Sequence, residues 1–282
     1  MTARIRHRRD ELSITGPVLA KALGFTTTYW SKVENEQRIL QEEKFRKLLD
    51  FLEIPADERE ELLELREVST RSGWWSAYSK IFNAEHLRLC GLEYGAEEVR
   101  AYESLLIPGL LQTEEYARSL IKADQIAIPG KEVERRVSTR MRRQERVFGA
   151  DPLRLVAVVS QAALEQQFGG AAVLYRQLQH LAAAIKEHPD TIDFRVIPFT
   201  STVGPIIGGT TFYLLDFPSP RLGSLAWYET PVISQVIENP EKVFDLSQCF
   251  QHAQLQALSQ AESLALIDET AGRLGSIRTT KD

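Results

Sequence analysis

The side chains best suited to recognition chemistry cluster between Thr15 and Arg38, in the run TGPVLAKALGFTTTYWSKVENEQR. Thr27, Thr28 and Lys32 are hydrogen-bonding side chains grouped on one prospective helix. Side chains of that kind reach base edges in the major groove of DNA. Thr27, Thr28 and Lys32 are therefore candidates for reading bases, with Thr26 at the start of the same helix. Tyr29 suits packing on a sugar or phosphate. Asn35 and Arg38, where the chain leaves the helix, suit contacts to the duplex backbone. The same spacing would also serve an amphipathic helical hairpin inside an ordinary core.

Two short helices joined by a tight turn must hold these residues. Val18, Leu19, Ala22 and Leu23 give the first helix one apolar face, with Thr15 at its N-cap, Pro17 in its first turn and Gly24 as its stop. Thr26 caps the second, and Trp30 and Val33 supply its apolar edge. Residues 3–12 read as a helix with Ile5 and Leu12 inward and Arg4, Arg6, Arg8 and Arg9 outward or across a phosphate backbone. The alternative for these arginines is a solvated charged face. Phe45, Leu48, Leu49 and Leu52 predict a fourth helix, after a connection over Gln37–Leu40. A fifth starts near Asp57, with Glu58, Glu60 and Glu61 at its favourable N-terminal end and Leu62, Leu63 and Leu65 inward.

The run from Ile14 to Arg38, closing on Ser31-Lys32-Val33-Glu34-Asn35, is similar to the helix-turn-helix of the Xre/phage-repressor family. The resemblance implies that Glu34 pairs with Arg9. Many members carry Gln at the start of the second helix. Here Gly16 stands in its place, leaving Thr15 and a backbone N–H to make that DNA contact.

Composition is ordinary for a globular chain of 282 residues, 43% apolar and 26% charged. No run approaches the ~20 apolar residues of a membrane span, so a soluble, cytoplasmic protein of two domains without a membrane partner is expected. The N-terminal arginines precede no apolar stretch, which argues against a secretory leader. Cys90 and Cys249 lack a CxxC partner and read as small buried apolar side chains. The formal charge of −5 is unevenly spread: residues 1–50 hold ten Lys/Arg against seven Asp/Glu, and residues 51–72 hold three against seven. That balance disfavours loose adsorption to DNA and leaves affinity to a few placed cations.

Ser69–Gly73 reads as a linker between a domain at 1–70 and another at 71–282, the latter divisible into a helical part, 74–148, and a β-rich part, 149–282. Trp74 and Trp75 are read as structural anchors. A helix is expected over 84–96, a strand over Val99–Leu106, and a helix capped by Thr113 through Ile121. Lys131–Arg146 holds seven Lys/Arg against three Glu, with Val133, Val137 and Met141 on a buried edge. Its basic face is either a second contact, to DNA or an acidic partner, or a solvated face making pairs such as Glu132 with Arg136. Leu153–Ser160 and Thr191–Ile197 flank a helix broken at Gly169-Gly170, a β-α-β unit. Thr210–Phe217 and Leu222–Glu229 form a hairpin around Pro218–Arg221, and Val232–Ile237 adds a strand. Pro240 opens a helix through Leu255, and Ser263–Asp268 makes a turn of helix. The expected fold class is α+β: an all-α five-helix domain, then an α+β domain with a mixed sheet and C-terminal helices.

The segment YESLLIPGLLQTEEYA, Tyr102–Ala117, resembles the C-terminal domain of Xre-type regulators of actinobacteria, the WhiJ-like proteins. Further likeness lies at Val133–Gln144, Val196–Phe199, Gly208-Gly209 and Glu262–Ile267. The resemblance implies a transcriptional regulator whose second domain senses or binds something, with small partner proteins in antitoxin-like pairs. Ser160-Gln161 stands where many relatives carry acidic residues.

No catalytic constellation stands out. The five histidines, His7, His86, His180, His188 and His252, lack metal-ligand spacing, and no Ser or Cys has a positioned base. Gly204–Gly209 lacks the Lys-Ser/Thr of a phosphate-binding loop and reads as a loop over a pocket. No enzymatic activity, metal or cofactor is expected. The expected function is sequence-specific binding of double-stranded operator DNA as a homodimer, tuned through the second domain by a small ligand or small protein partner. Half-sites about 34 Å apart would match a two-fold dimer. The alternative is an antitoxin-like partner-binding protein in which DNA binding serves autoregulation.

Overall fold

The computed structural model describes residues 2–35, 38–70, 73–124, 128–202, 211–219, 222–230 and 233–279. The chain divides into two compact units, Met1–Ser76 with Ser219–Leu222, and Ala77–Pro218 with Gly223–Asp282. Readings that involve Gln37, Arg71-Ser72, Gly204–Gly209, Pro220-Arg221 and Val232 lie outside the described residues.

The first unit holds α1 (Thr2–Glu11), α2 (Gly16–Ala22), α3 (Thr27–Glu34), α4 (Glu42–Phe51) and α5 (Ala56–Thr70). Ile5, Leu19, Trp30, Phe45, Leu48, Leu49 and Leu62 meet in its core. Helix α4 forms as its spacing predicts, with Phe45, Leu48 and Leu49 on one buried side. Helix α2 is turned from the expected face. Gly16, Leu19 and Ala20 are buried and Leu23 packs on the core, whereas Val18 is 55% exposed. The rotation follows from Gly16, where a Cβ would lie 3.4 Å from both the Trp30 ring and Glu34 Oε2, so α2 approaches α3 by its smallest residue. Gly24, at φ +70, ends α2 in the left-handed region that glycine enters without a side-chain penalty. Ser69 and Thr70, expected in the linker, continue α5, since no Gly or Pro precedes Gly73 to stop it.

The second unit contains α6 (Ala84–Gly95), β1 (Glu98–Glu103), α7 (Glu114–Ala123), α8 (Val133–Arg143), α9 (Glu145–Phe148), β2 (Arg154–Ser160), α10 (Ala162–Glu165), α11 (Ala171–Glu187), β3 (Ile192–Ile197), β4 (Phe212–Asp216), β5 (Leu225–Glu229), β6 (Ser234–Ile237), α12 (Pro240–Gln256) and α13 (Gln260–Thr279). The six strands make one mixed sheet in the order β3-β2-β1-β4-β5-β6. Neighbours are parallel across β3-β2-β1 and antiparallel beyond it, and β2-α11-β3 is the expected β-α-β unit.

Strand β2 shows why the sheet sits between two layers. Leu155, Ala157 and Val159 enter a core with Leu174, Leu178 and Leu181 of α11 and Ile267 of α13. Val156 and Val158 enter another with Val243, Phe250 and Ala253 of α12. A strand covered on both faces needs apolar residues at both parities. Strand β1 ends at Glu103, short of the expected Leu106, because its ladder with β2 stops there and Leu105 is exposed. The segment 131–146 is broken into a 3-10 turn, α8 and α9, and α13 runs far beyond Ser263–Asp268. Cys90 is buried and Cys249 half-buried, both as free thiols. Among the described residues no helix is long and apolar enough to cross a membrane, and no cluster of three His, Cys, Asp or Glu could hold a metal.

Candidate nucleic-acid interface

Helix α3 begins at Thr26, whose hydroxyl accepts a hydrogen bond from the Tyr29 N–H at 3.1 Å. That bond satisfies one of the donors a helix start leaves open. Thr15 holds the same extended backbone ahead of α2, but its side chain makes no capping bond. Trp30, 2% exposed, and Val33 fix the inner edge of α3. Thr27, Thr28, Ser31 and Lys32 consequently occupy its exposed arc.

Tyr29 borders that arc, half-buried. The Arg38 guanidinium lies 5.3 Å and the Lys44 ammonium 5.7 Å from its ring centroid. Lys44 also stands 5.6 Å from the Phe25 ring. Such cation–π contacts restrain long side chains without neutralising them. Asn35 donates its amide to Ser31 Oγ at 3.3 Å, and the Arg38 N–H donates to the Lys32 carbonyl at 3.1 Å. Thr26, Thr27, Thr28, Tyr29, Lys32, Asn35 and Arg38 thus share one neighbourhood, with Thr15 exposed before α2. Gly16 is a correction: it is buried against Trp30 and Glu34, and its role is the close approach of two helices. Lys44 belongs to the neighbourhood and was missed, because its aromatic partners lie on and before another helix and no local pattern joins them.

The N-terminal arginines also depart from expectation, since they face inward. Arg4 pairs with the buried Glu58, with Nη2 3.1 Å from Oε2, and that bond holds the guanidinium above its ordinary pKa. Arg6 donates to the Glu34 carbonyl at 2.7 Å and Arg8 to the Leu52 carbonyl at 3.1 Å. These carbonyls end α3 and α4, where helix geometry leaves acceptors open and the dipole is negative. The Arg9–Glu34 pair implied by the resemblance is present, Nε to Oε1 3.3 Å, as an ion pair without hydrogen-bond alignment. Among the described residues, Lys21, Lys32, Arg38 and Lys44 of this unit make no ion pair.

Part of the basic segment of the second unit, Arg136, Arg143 and Arg146, is likewise turned inward. Arg143 forms a buried bidentate pair with Glu93 at 2.7 and 2.6 Å. Burial alone would lower its pKa, but Glu93 overrides this and raises it. Arg136 donates to the Ile81 carbonyl at 3.0 Å and makes the anticipated pair with Glu132 at 3.2 Å. Arg146 donates to the Ala96 carbonyl at 2.9 Å. These three arginines tie α8 and α9 to their neighbours, while Lys131, Arg135 and Arg142 stay exposed, so the segment keeps part of the solvated face expected of it. Nearby, Glu103 is buried and accepts from Thr211 Oγ1 at 2.5 Å and the Tyr213 hydroxyl at 2.8 Å. Burial pushes its carboxyl up to about 7. Nothing in the alternation of β1 marks this residue as internal, since a lone carboxylate in a strand ordinarily reads as solvent-facing.

Residues 1–62 match the model of a family described as Helix-turn-helix domain, and residues 87–269 match that of the Domain of unknown function (DUF5753). No curated protein and no solved structure matches the chain. With α2 and α3 as its helix-turn-helix pair, the N-terminal domain is of the DNA-binding kind, and the chain as a whole belongs to the DUF5753 family.

Proposed function

We propose that this protein is a sequence-specific transcriptional regulator of the Xre type that lays α3 in the major groove of double-stranded operator DNA. Thr27, Thr28 and Lys32 read bases, while Thr15, Thr26, Tyr29, Asn35 and Arg38 engage the backbone. The observation that carries this reading is the polar arc of α3, exposed opposite a buried Trp30–Val33 edge and bordered by cations that make no ion pair among the described residues. The protein acts in the cytoplasm as a homodimer, by binding and not by catalysis. Residues 1–70 recognise DNA, and residues 71–282, WhiJ-like by resemblance, transmit the state of a small ligand or small protein partner.

Selection of sites from random duplexes with the full-length protein, followed by a salt titration, tests this. The expected result is a palindromic consensus that disappears when Thr27 and Thr28 are changed to Ala. Weak, sequence-blind binding would overturn it. A second reading, an antitoxin-like protein that chiefly binds a partner, is favoured by Phe244 and Leu255, 62% and 81% exposed on α12. Eleven positions is about three turns, so both lie on one face. A small protein that co-purifies with the wild type and is lost on Phe244→Ser with Leu255→Ser would carry that reading.

A further inference from the structure

Lys44 stands in the first turn of α4, where the helix dipole favours an anion over a lysine. The charged side chains around it are spent within the helix, since Glu42 takes Arg46 and Glu43 takes Lys47, each at 2.8 Å. Lys44 instead lies against the rings of Phe25 and Tyr29, 5.6 and 5.7 Å from their centroids. These two rings pack on each other with centroids 5.2 Å apart. Phe25 also stacks on the buried Trp30 at 6.3 Å, which anchors the aromatic pair in the core of the first unit.

Arg38, beyond the end of α3, meets the same Tyr29 ring at 5.3 Å. Two cations from different parts of the chain therefore share one aromatic support. Both are exposed, and among the described residues neither makes an ion pair. Like charges gathered on one ring repel each other, and the fold supplies no carboxylate to relieve them. Attraction to the half-buried rings offsets part of that repulsion and restrains two long side chains that would otherwise sample many rotamers. The ordering that an oxyanion demands of loose side chains is thus largely in place before it arrives.

We infer that Lys44 and Arg38 form a fork for the phosphates of one DNA strand, braced by Tyr29 and Phe25. Lys44 enters as a contact from α4, outside the helix-turn-helix pair. Tyr29 acts through both cations as a positioning residue, and it adjoins Thr28 on α3, so the fork and the base-reading arc are set on one rigid helix. Such a fork carries no sequence information of its own and fixes how α3 sits over the bases. The inference deepens the proposed DNA recognition and rests on it for the identity of the ligand.

Salt titrations of the full-length protein on a mixed-sequence duplex and on the selected operator test the assignment. Lys44→Gln and Arg38→Gln should each weaken both duplexes by the same factor and lower the slope of log affinity against log salt by about 1, and the double variant by about 2. Lys47→Gln removes the same charge from the same helix, at a lysine already paired with Glu43, and should move the slope far less. Tyr29→Leu should weaken both duplexes roughly threefold or more, and Tyr29→Phe, which keeps the ring, should restore wild-type binding. An unchanged slope in Lys44→Gln, an equal drop in Lys47→Gln, or wild-type binding by Tyr29→Leu would each overturn the fork while leaving operator recognition standing. Sequence-blind binding by the wild type would overturn base reading and leave the fork, because the slope is also read on mixed sequence. A wild type that binds no duplex would overturn both.

Discussion

Helix α8 with its continuation through α9 carries six arginines, and α3 carries a single lysine. Ranked by charge, the first would be the nucleic-acid contact and the second a minor helix. Their partners narrow the gap. Arg136 and Arg143 meet Glu132 and Glu93, Arg140 meets Gln112 and Arg146 a backbone carbonyl, which leaves Arg135 and Arg142 exposed, while Lys32 meets no carboxylate among the described residues. The arginines of α1 repeat the lesson by closing on Glu58, on Glu34 and on the carbonyls that end α3 and α4. The positive charge available to DNA is what remains after the fold has taken its share, and segment totals do not report it.

The sharpest break of this comparison is Arg143→Ala. Removing one member of a buried pair leaves Glu93 uncompensated, and urea unfolding followed in the second unit should lose about 3–5 kcal/mol. A cost under about 1 kcal/mol would return α8 to the class of surface helices.

Next is the pH dependence of the buried Glu103. Burial holds the Glu103 carboxyl up at about 7 in the folded chain, above the ordinary 4.5 of a glutamate, so its contribution to stability is complete below about 4.5 and lost as pH rises through about 7. His86, held at about 3 chiefly by burial and then by Arg143, has the opposite sign: its contribution is present above about 6.5 and lost as pH falls toward 3. The difference between wild type and Glu103→Gln cancels His86. Relative to that variant, the wild type should lose up to ~3 kcal/mol across this window, read from denaturation midpoints at successive pH values. A flat difference would remove Glu103 from the interior.

On the α3 side, Lys32→Ala should weaken operator binding by roughly 1–3 kcal/mol if the lysine reads a base. Thermal stability should stay within about 0.5 kcal/mol of wild type. Equal losses on operator and random duplex would make Lys32 a phosphate contact. The smallest contrast is between the two threonines that precede helices: Thr26→Ala should cost about 1 kcal/mol as a lost cap, while Thr15→Ala, with no capping bond to lose, should be near neutral.

Features set by short-range periodicity were legible in the sequence. The buried edge of α3, the cap at Thr26, the Gly24 stop and the doubly covered strand β2 all follow from residues within one or two turns or one strand. What escaped depends on partners distant in the chain. Apolar character predicts Val18 inward, whereas the approach of Gly16 to Trp30, which no local pattern displays, turns it to solvent. Charge predicts Arg6 and Arg8 outward, whereas their acceptors are backbone carbonyls, which no sequence pattern displays. Lys44 and Glu103 carry no sequence signal for the same reason: their environments are assembled from other elements.

The contact between Gly16 and Trp30 also bears on how freely this recognition unit can be exchanged. A foreign α3 grafted onto this scaffold arrives with its own residue at position 30, shaped to whatever stands at position 16 in its source. With Gly16 retained, a smaller residue at position 30 would leave a void between α2 and α3. A long side chain imported at position 16 would meet the indole 3.4 Å from its Cβ. Positions 16 and 30 therefore form a matched pair, and redesigning the DNA specificity of this protein means transplanting both together.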